Sequence, residues 1–320
     1  MKNTTVLVTG GTGFVAIHTI AQLLQQGYTV KTTLRSPDKK GVVLQALEGT
    51  DTTGLSFHYA DLTLDKGWEE ATVGCDYVLH VASPFPAQDP EDENELIIPA
   101  RDGAMRVLKA ARDAGVKRVV LTSSFAAVGY SKSIAGHVFT EEDWTDVNAS
   151  LPAYIKSKTV AERAAWDFIQ SQGNGMELTV INPVGIFGPV LGNISSASLD
   201  IAVTGIIKGT TTMSGNFTMG VVDVRDVADI HIKAMVHPDA AGERFLANSD
   251  GVMSFYDVAQ LIRKERPGLS GNIALMTPTP EEFYKQMSSK KAETVLSWKP
   301  RSREEAILAS VDSVTKNVNL

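Results

Sequence analysis

Tyr154 and Lys158, in the stretch YIKSK, are the residues whose types and spacing first suggest chemistry. Four residues apart on a helix they share one face, with Cβ atoms about 5 to 6 Å apart. A free phenol has a pKa of about 10, so at neutral pH it keeps its proton and gives it up slowly. An ammonium at that distance, at an effective dielectric near 20, would favour the phenolate by roughly 3 kcal/mol, about two pKa units. Tyr154 would then serve as a general acid near neutral pH. A chain with seven tyrosines yields such a pair readily by chance, so the surroundings must decide.

A second constellation is TGGTGFVA, residues 9–16, which follows a short apolar run and opens a helical pattern. That is the context of a dinucleotide-binding turn. Gly10 permits the tight turn, Gly13 lets the backbone approach a pyrophosphate, and Ala16 allows close helix packing on a sheet. The N–H groups around Thr12, Gly13, Phe14 and Val15 face the phosphates with the positive end of the helix. Selection of NAD(H) needs an acid at the end of the next strand. Here the stretch reads TTLRSPDKK, with no acid before Asp38. Arg35 instead suits a 2′-phosphate, with Lys39 as a second cation, and the expected cofactor is NADPH. Asp61 and Leu62 in YADLT are placed to meet adenine, with a helix cap as the alternative role for Asp61. Val81, Ala82 and Ser83 end the fourth strand beside the nicotinamide ribose.

Composition limits the function classes. The net charge of -7 and pI near 5.4 provide no basic field for nucleic acid. No run approaches the roughly 18 apolar residues of a membrane span, and the start MKNTTVLVTGG is too short for a signal-peptide core. The lone Cys75 forms no intrachain disulfide, and the scattered histidines lack ligand spacing, so no metal site is expected. The expected compartment is the cytoplasm.

The elements that must position these residues follow from periodicity. Apolar, β-rich runs at 4–9, 28–34, 55–60, 77–82, 118–123 and 178–182 alternate with helical patterns at 14–26, 95–114 and 153–172. That rhythm specifies a parallel sheet with helices on both faces, and ligands at the carboxyl ends of its strands. After Pro183 the rhythm gives way to a Gly-, Ser- and Pro-rich stretch and to helical patterns at 224–236, 254–266 and 303–316. The expected division is a dinucleotide domain at 1–183 and 218–248, and a substrate lobe at 184–217 and 249–320.

Taken together, TGGTGFVA, LRSPDK, ADLT, HVASPF, KRVVLTSSFAAV, YIKSK, NPVGIFGP, VVDVRDVA and LSWKPRSREEA make the chain resemble the extended short-chain dehydrogenases/reductases. Within them it is similar to the dihydroflavonol-reductase-like branch. The resemblance implies an α/β fold: a doubly wound parallel Rossmann sheet with a smaller, discontinuous C-terminal substrate lobe. It implies a Ser–Tyr–Lys triad of Ser124, Tyr154 and Lys158, with Ser123 as the rival serine. It places Pro183, Gly185 and Ile186 beside the nicotinamide and Ser198 near the pyrophosphate. Plant flavonoid reductases commonly carry Asn or Asp where this chain has Gly129, and cinnamoyl-CoA reductases carry Asn-Trp-Tyr-Cys-Tyr where it has SLPAY. Both departures point away from those plant substrates and toward microbial carbonyl reductases, with Phe85 and Phe125 as apolar walls.

The implied reaction is NADPH-dependent reduction of a ketone or aldehyde. Hydride comes from the nicotinamide and a proton from Tyr154, while Ser124 holds the substrate oxygen and Lys158 the ribose hydroxyls. Two alternatives remain: a nucleotide-sugar epimerase or dehydratase with bound NAD, and a non-catalytic dinucleotide-binding sensor or scaffold. The long helices at 95–114 and 153–172 correspond to the four-helix dimer contact of this group, so the chain is expected as a monomer or homodimer.

Overall fold

The computed structural model describes residues 4–84, 90–132 and 136–317. Its strands are β1 Thr5–Val8, β2 Thr29–Leu34, β3 Leu55–Tyr59, β4 Tyr77–His80, β5 Arg118–Thr122, β6 Val138–Phe139 and β7 Glu177–Pro183. They continue with β8 Gly185–Phe187, β9 Met219–Asp223, β10 Arg244–Ala247, β11 Val252–Met253 and β12 Gln286–Met287. The helices are α1 Phe14–Gln25, α2 Lys40–Ala46, α3 Trp68–Thr72, α4 Asn94–Asp113, α5 Ala153–Gln172 and α6 Ala197–Leu199. After these come α7 Gly205–Ile207, α8 Val224–Val236, α9 Phe255–Glu265, α10 Lys290–Val295 and α11 Arg303–Asn317.

Seven strands form one parallel sheet in the order β10-β7-β5-β4-β1-β2-β3. The apolar runs read from the sequence are buried on both faces because successive side chains turn to opposite sides. Val6, Val8, Leu79, Val120 and Ile181 join one core with α1 and α8. Leu7, Val78, Val119, Leu178 and Val180 join the other with α4 and α5. The sheet is therefore doubly wound, as expected. Helices α5 and α8 begin and end where the 3.6-residue pattern places them. Strand β10 escaped the pattern: only four residues long, it carries a charged Arg244 and shows no alternation to detect.

Beyond β7 the chain builds a three-stranded sheet, β11-β9-β8, against which α11 packs. Ser254 caps α9 in a capping box with Asp257, and Trp298 is fully buried in the shared core. Among the described residues no helix is long and apolar enough to cross a membrane.

Candidate active site

The glycine turn lies at the carboxyl end of β1. Gly10 has φ +71, and a Cβ there would stand 2.9 Å from the Ala82 Cβ. At Gly11 a Cβ would stand 2.5 Å from Thr32 Oγ1. The turn is held by Gly10 N–H donating to Thr33 Oγ1 at 2.9 Å and Gly11 N–H to the Thr33 carbonyl at 2.9 Å. Gly13 caps α1 with no side-chain acceptor, and the first turn carries no acid. This leaves the positive end of α1 and its N–H groups open to an anion. Thr12 and Gly13 are solvent-accessible, whereas Phe14 and Val15 are buried.

Thr9, which the sequence reading passed over, anchors the neighbouring strand. Its Oγ1 accepts from the N–H groups of Val81 at 3.1 Å and Ala82 at 3.0 Å, and bonds His80 Nδ1 at 2.9 Å. The segment Val81, Ala82, Ser83 is thereby pinned against the glycine turn, with two of its amides already used. Burial takes the His80 pKa down to about 3, so this imidazole is neutral.

At the end of β2, Arg35 is exposed and its guanidinium makes no hydrogen bond or ion pair among the described residues. Lys39 is also exposed, but it is paired with Asp38 at 3.3 Å. Asp61 caps no helix: its Oδ1 accepts from Thr63 N–H at 2.8 Å and Thr63 Oγ1 at 2.7 Å, closing a turn. Those bonds, with Arg35 and Arg106 nearby, hold its pKa below the usual carboxylate value. Leu62 packs against Gly103, where a Cβ would stand 2.9 Å from it.

The two serines after β5 separate cleanly. Ser123 is buried and its Oγ donates to Glu162 Oε2 at 2.5 Å. Ser124 lies in the wall of a cavity, where its hydroxyl hydrogen-bonds with Tyr154. Lys158 lies behind that pair, its Nζ 5.7 Å from the centre of the Tyr154 ring. The helix thus brings together Tyr154 and Lys158 as the spacing requires, and β5 delivers Ser124 to them.

The expected electrostatics are corrected by burial. Desolvation raises the Tyr154 pKa, and its hydrogen bond with Ser124 offsets only part of that rise. Desolvation also lowers Lys158 to about 8. A distance between two Cβ atoms says nothing of the water both groups lose, and here that loss outweighs the attraction.

A buried network that the sequence did not reveal lies behind Ser124. Glu162 Oε2 also accepts from Asn182 Nδ2 at 2.7 Å, and Oε1 accepts from Arg244 Nε at 2.6 Å. Asn182 Nδ2 reaches the Ser124 carbonyl at 3.2 Å. Glu162 follows Tyr154 and Lys158 on the same helix face, a spacing that was readable; Arg244 lies on the strand that escaped notice.

The cavity in front of Ser124 and Tyr154 has a volume of about 450 Å³ and is mostly apolar. Phe125, Val184, Gly185, Phe217 and Phe255 are in its wall, as is Ser198. Gly185 and Ile186 pair with β9 directly after Pro183. Phe85 lies outside the described residues. A wider cleft of about 800 Å³ opens beside Gln22 and Arg225, but Arg225 is paired with Asp223 and Arg301 with Asp226. None of the triad residues is there.

Gly129 shows why this chain has no side chain where plant flavonoid reductases carry one. A Cβ there would stand 2.5 Å from Phe125 Cζ and 2.7 Å from Phe139 Cδ1. Those two rings meet edge-on at 5.5 Å in a small core and cannot retreat freely. Gly129→Ala is expected to destabilise the fold by about 1–3 kcal/mol. A lower urea midpoint at unchanged slope would register it, and an unchanged midpoint would show that the rings yield.

Residues 6–247 match the NAD dependent epimerase/dehydratase family. The chain is 33% identical over 310 residues to a putative NADPH-dependent methylglyoxal reductase of Candida albicans, covering 90% of this chain and 91% of that one. It is 35% identical over 298 residues to a cinnamoyl-CoA reductase of Medicago truncatula, covering 91% and 89%. Among solved structures, the yeast methylglyoxal/isovaleraldehyde reductase complexed with NADPH superposes with a TM-score of 0.85 at 28% identity, over 98% of each chain.

Proposed function

The chain belongs to the NAD dependent epimerase/dehydratase family, and from that premise we propose that it reduces uncharged ketones or aldehydes to alcohols with NADPH. The observation that carries this reading is the hydrogen-bonded hydroxyl pair of Ser124 and Tyr154 in the wall of an apolar cavity, with Lys158 buried behind it.

The cofactor's site fits the residues present. The tight turn, with Gly10 and Gly11 packed on Ala82 and Thr32, the open end of α1, and Arg35, unpaired among the described residues, suit a pyrophosphate and a 2′-phosphate. Gly10, Thr12, Gly13, Phe14 and Val15 would hold the pyrophosphate, with Ser198. Arg35, and to a lesser degree Lys39, would hold the 2′-phosphate. Asp61 and Leu62 would meet the adenine, and Val81, Ala82, Ser83, Pro183, Gly185 and Ile186 would flank the nicotinamide ribose. When bound, NADPH supplies the hydride.

The protein supplies the proton. Ser124 holds the carbonyl oxygen of the substrate against Tyr154, whose phenol is fully protonated at neutral pH because burial raises its pKa. As negative charge develops on that oxygen, the Tyr154 proton passes to it. Lys158, charged below its pKa of about 8, steadies the phenolate left behind and binds ribose hydroxyls. Residues 184–217 and 249–320 would form the substrate lobe over the dinucleotide domain. The lone buried Cys75, with its thiol pKa pushed up to about 11, is compatible with a reducing cytoplasm. The proposed assembly is a monomer or a homodimer, the latter through α4 and α5.

A nucleotide-sugar substrate fits less well. Its diphosphate needs cations, and no Lys or Arg lines the cavity among the described residues. The test is loss of NADPH absorbance with a panel of uncharged aldehydes and ketones, matched mole for mole by alcohol. Absence of consumption with every carbonyl would sink the proposal. The pH dependence gives a further check. Because the Lys158 pKa is lowered in the folded protein to about 8, its ammonium is half lost at that pH and lost progressively as pH rises through it. The kcat/KM for NADPH, which reports the free enzyme, is expected to fall above about pH 8. Lys158→Met should be slow and lack that limb; a variant with the same limb would assign it to another group.

A further inference from the structure

Tyr130 is a polar group in the catalytic cavity to which the reaction described above assigns no task. It lines the same cavity as Ser124 and Tyr154, one residue past the glycine that cannot carry a side chain. Three contacts fix its ring. Its edge meets Phe125 at 5.4 Å, the Lys285 ammonium lies over its face at 4.8 Å, and its own N–H donates to Thr145 Oγ1 at 3.2 Å. Lys285 is itself tied down, its Nζ donating to the Gly129 carbonyl at 3.3 Å. The phenol oxygen makes no hydrogen bond among the described residues, although the ring around it is held on several sides.

The Tyr130 hydroxyl opens on a mostly apolar cavity, and a substrate that excludes water from it must supply an acceptor or leave a buried donor unpaired. The donor stays neutral at working pH. Burial first, and then the nearby Tyr154, push its pKa up to about 12. Because Ser124 and Tyr154 take the reacting carbonyl oxygen, the acceptor for Tyr130 must be a different oxygen of the same molecule. That oxygen is uncharged: no Lys or Arg lines the cavity among the described residues, so a carboxylate would be buried without a partner.

We propose that Tyr130 is a specificity-determining residue that donates a hydrogen bond to a second, neutral oxygen of the substrate, selecting keto esters and diketones over simple ketones. This rests on the carbonyl-reductase reading. The geometry behind it is a rigidly held phenol that shares one cavity with the hydroxyl pair and has no hydrogen-bond partner among the described residues.

The test compares wild type with Tyr130→Phe on two substrates of matched length, ethyl benzoylformate and valerophenone. The first carries the extra oxygen and the second does not. Dividing wild type by variant within each substrate removes the greater intrinsic reactivity of the keto ester. Tyr130→Phe keeps the ring and its contacts, and is expected to lose about tenfold in kcat/KM on the keto ester. On valerophenone it should stay within about twofold. An equal loss on both would make Tyr130 a structural wall and overturn the proposal, as would no loss on either. If wild type consumes NADPH with no carbonyl of the wider panel, the carbonyl-reductase reading has failed and the inference falls with it; if it reduces other carbonyls but neither of these two, the inference alone is overturned. If both are reduced and only the selectivity is absent, the inference alone is wrong.

Discussion

Tyr154→Phe is expected to lower kcat by about 10²–10⁴-fold while the Kd for NADPH changes little. The hydroxyl sits on a half-buried helix residue hydrogen-bonded with Ser124, and Phe keeps the ring against which the Lys158 side chain lies. What disappears is the proton given to the developing alkoxide. Ser124 can hydrogen-bond the alkoxide but does not replace the lost phenol proton, so protonation must wait for water in a mostly apolar cavity. Ser124 still offers one hydrogen bond, so substrate affinity should fall far less than turnover. Single-turnover rates with NADPH bound, alongside a fluorescence titration of NADPH, separate the two effects. A variant that binds NADPH normally and turns over at the wild-type rate would remove Tyr154 from the proton path.

Arg35→Ala is expected to raise the KM for NADPH by about 10- to 100-fold and leave the constants for NADH nearly unchanged. Arg35 is exposed and unpaired among the described residues, so its replacement breaks nothing in the protein and the fold is a poor alternative explanation for a loss. Charge-assisted bonds of a guanidinium to phosphate are among the stronger polar contacts, and the adenine ribose of NADH carries no phosphate for them. Lys39 is already shared with Asp38, so Lys39→Ala should do less. The NADPH loss should shrink at high salt, where the wild-type contact is itself screened. Equal losses with both dinucleotides, or none with either, would place the 2′-phosphate elsewhere.

Much of this was legible in the chain. The helix carrying Tyr154 and Lys158 runs over Ala153–Gln172 as its periodicity requires, and TGGTGFVA forms the turn that its glycines suggest. Strand β10 was not legible, because four buried residues with an arginine among them give no period to detect. The choice of Ser124 over Ser123 rested on the family resemblance alone and not on local spacing. Adjacent strand-end residues face opposite ways, and only the position of Glu162 shows which serine is consumed by the core. Glu162 could have been noticed, eight residues after Tyr154 on one helix face. Its partners Asn182 and Arg244 could not, since 20 and 82 residues separate them from it.

Chain-local spacing determined the alternation of strands and helices, the glycine turn, and the alignment of Tyr154 with Lys158, because each depends on neighbours within a turn or a pleat. Tertiary structure decided everything that depends on water and on distant partners. Burial raised the Tyr154 pKa and lowered that of Lys158, where spacing alone had predicted an acidified phenol. The approach of Phe125 and Phe139 excluded a side chain at Gly129. Packing of the loop after β5 against Lys285 placed Tyr130 in the cavity wall. Solvation is a property of the assembled surroundings, and no window along the sequence contains it.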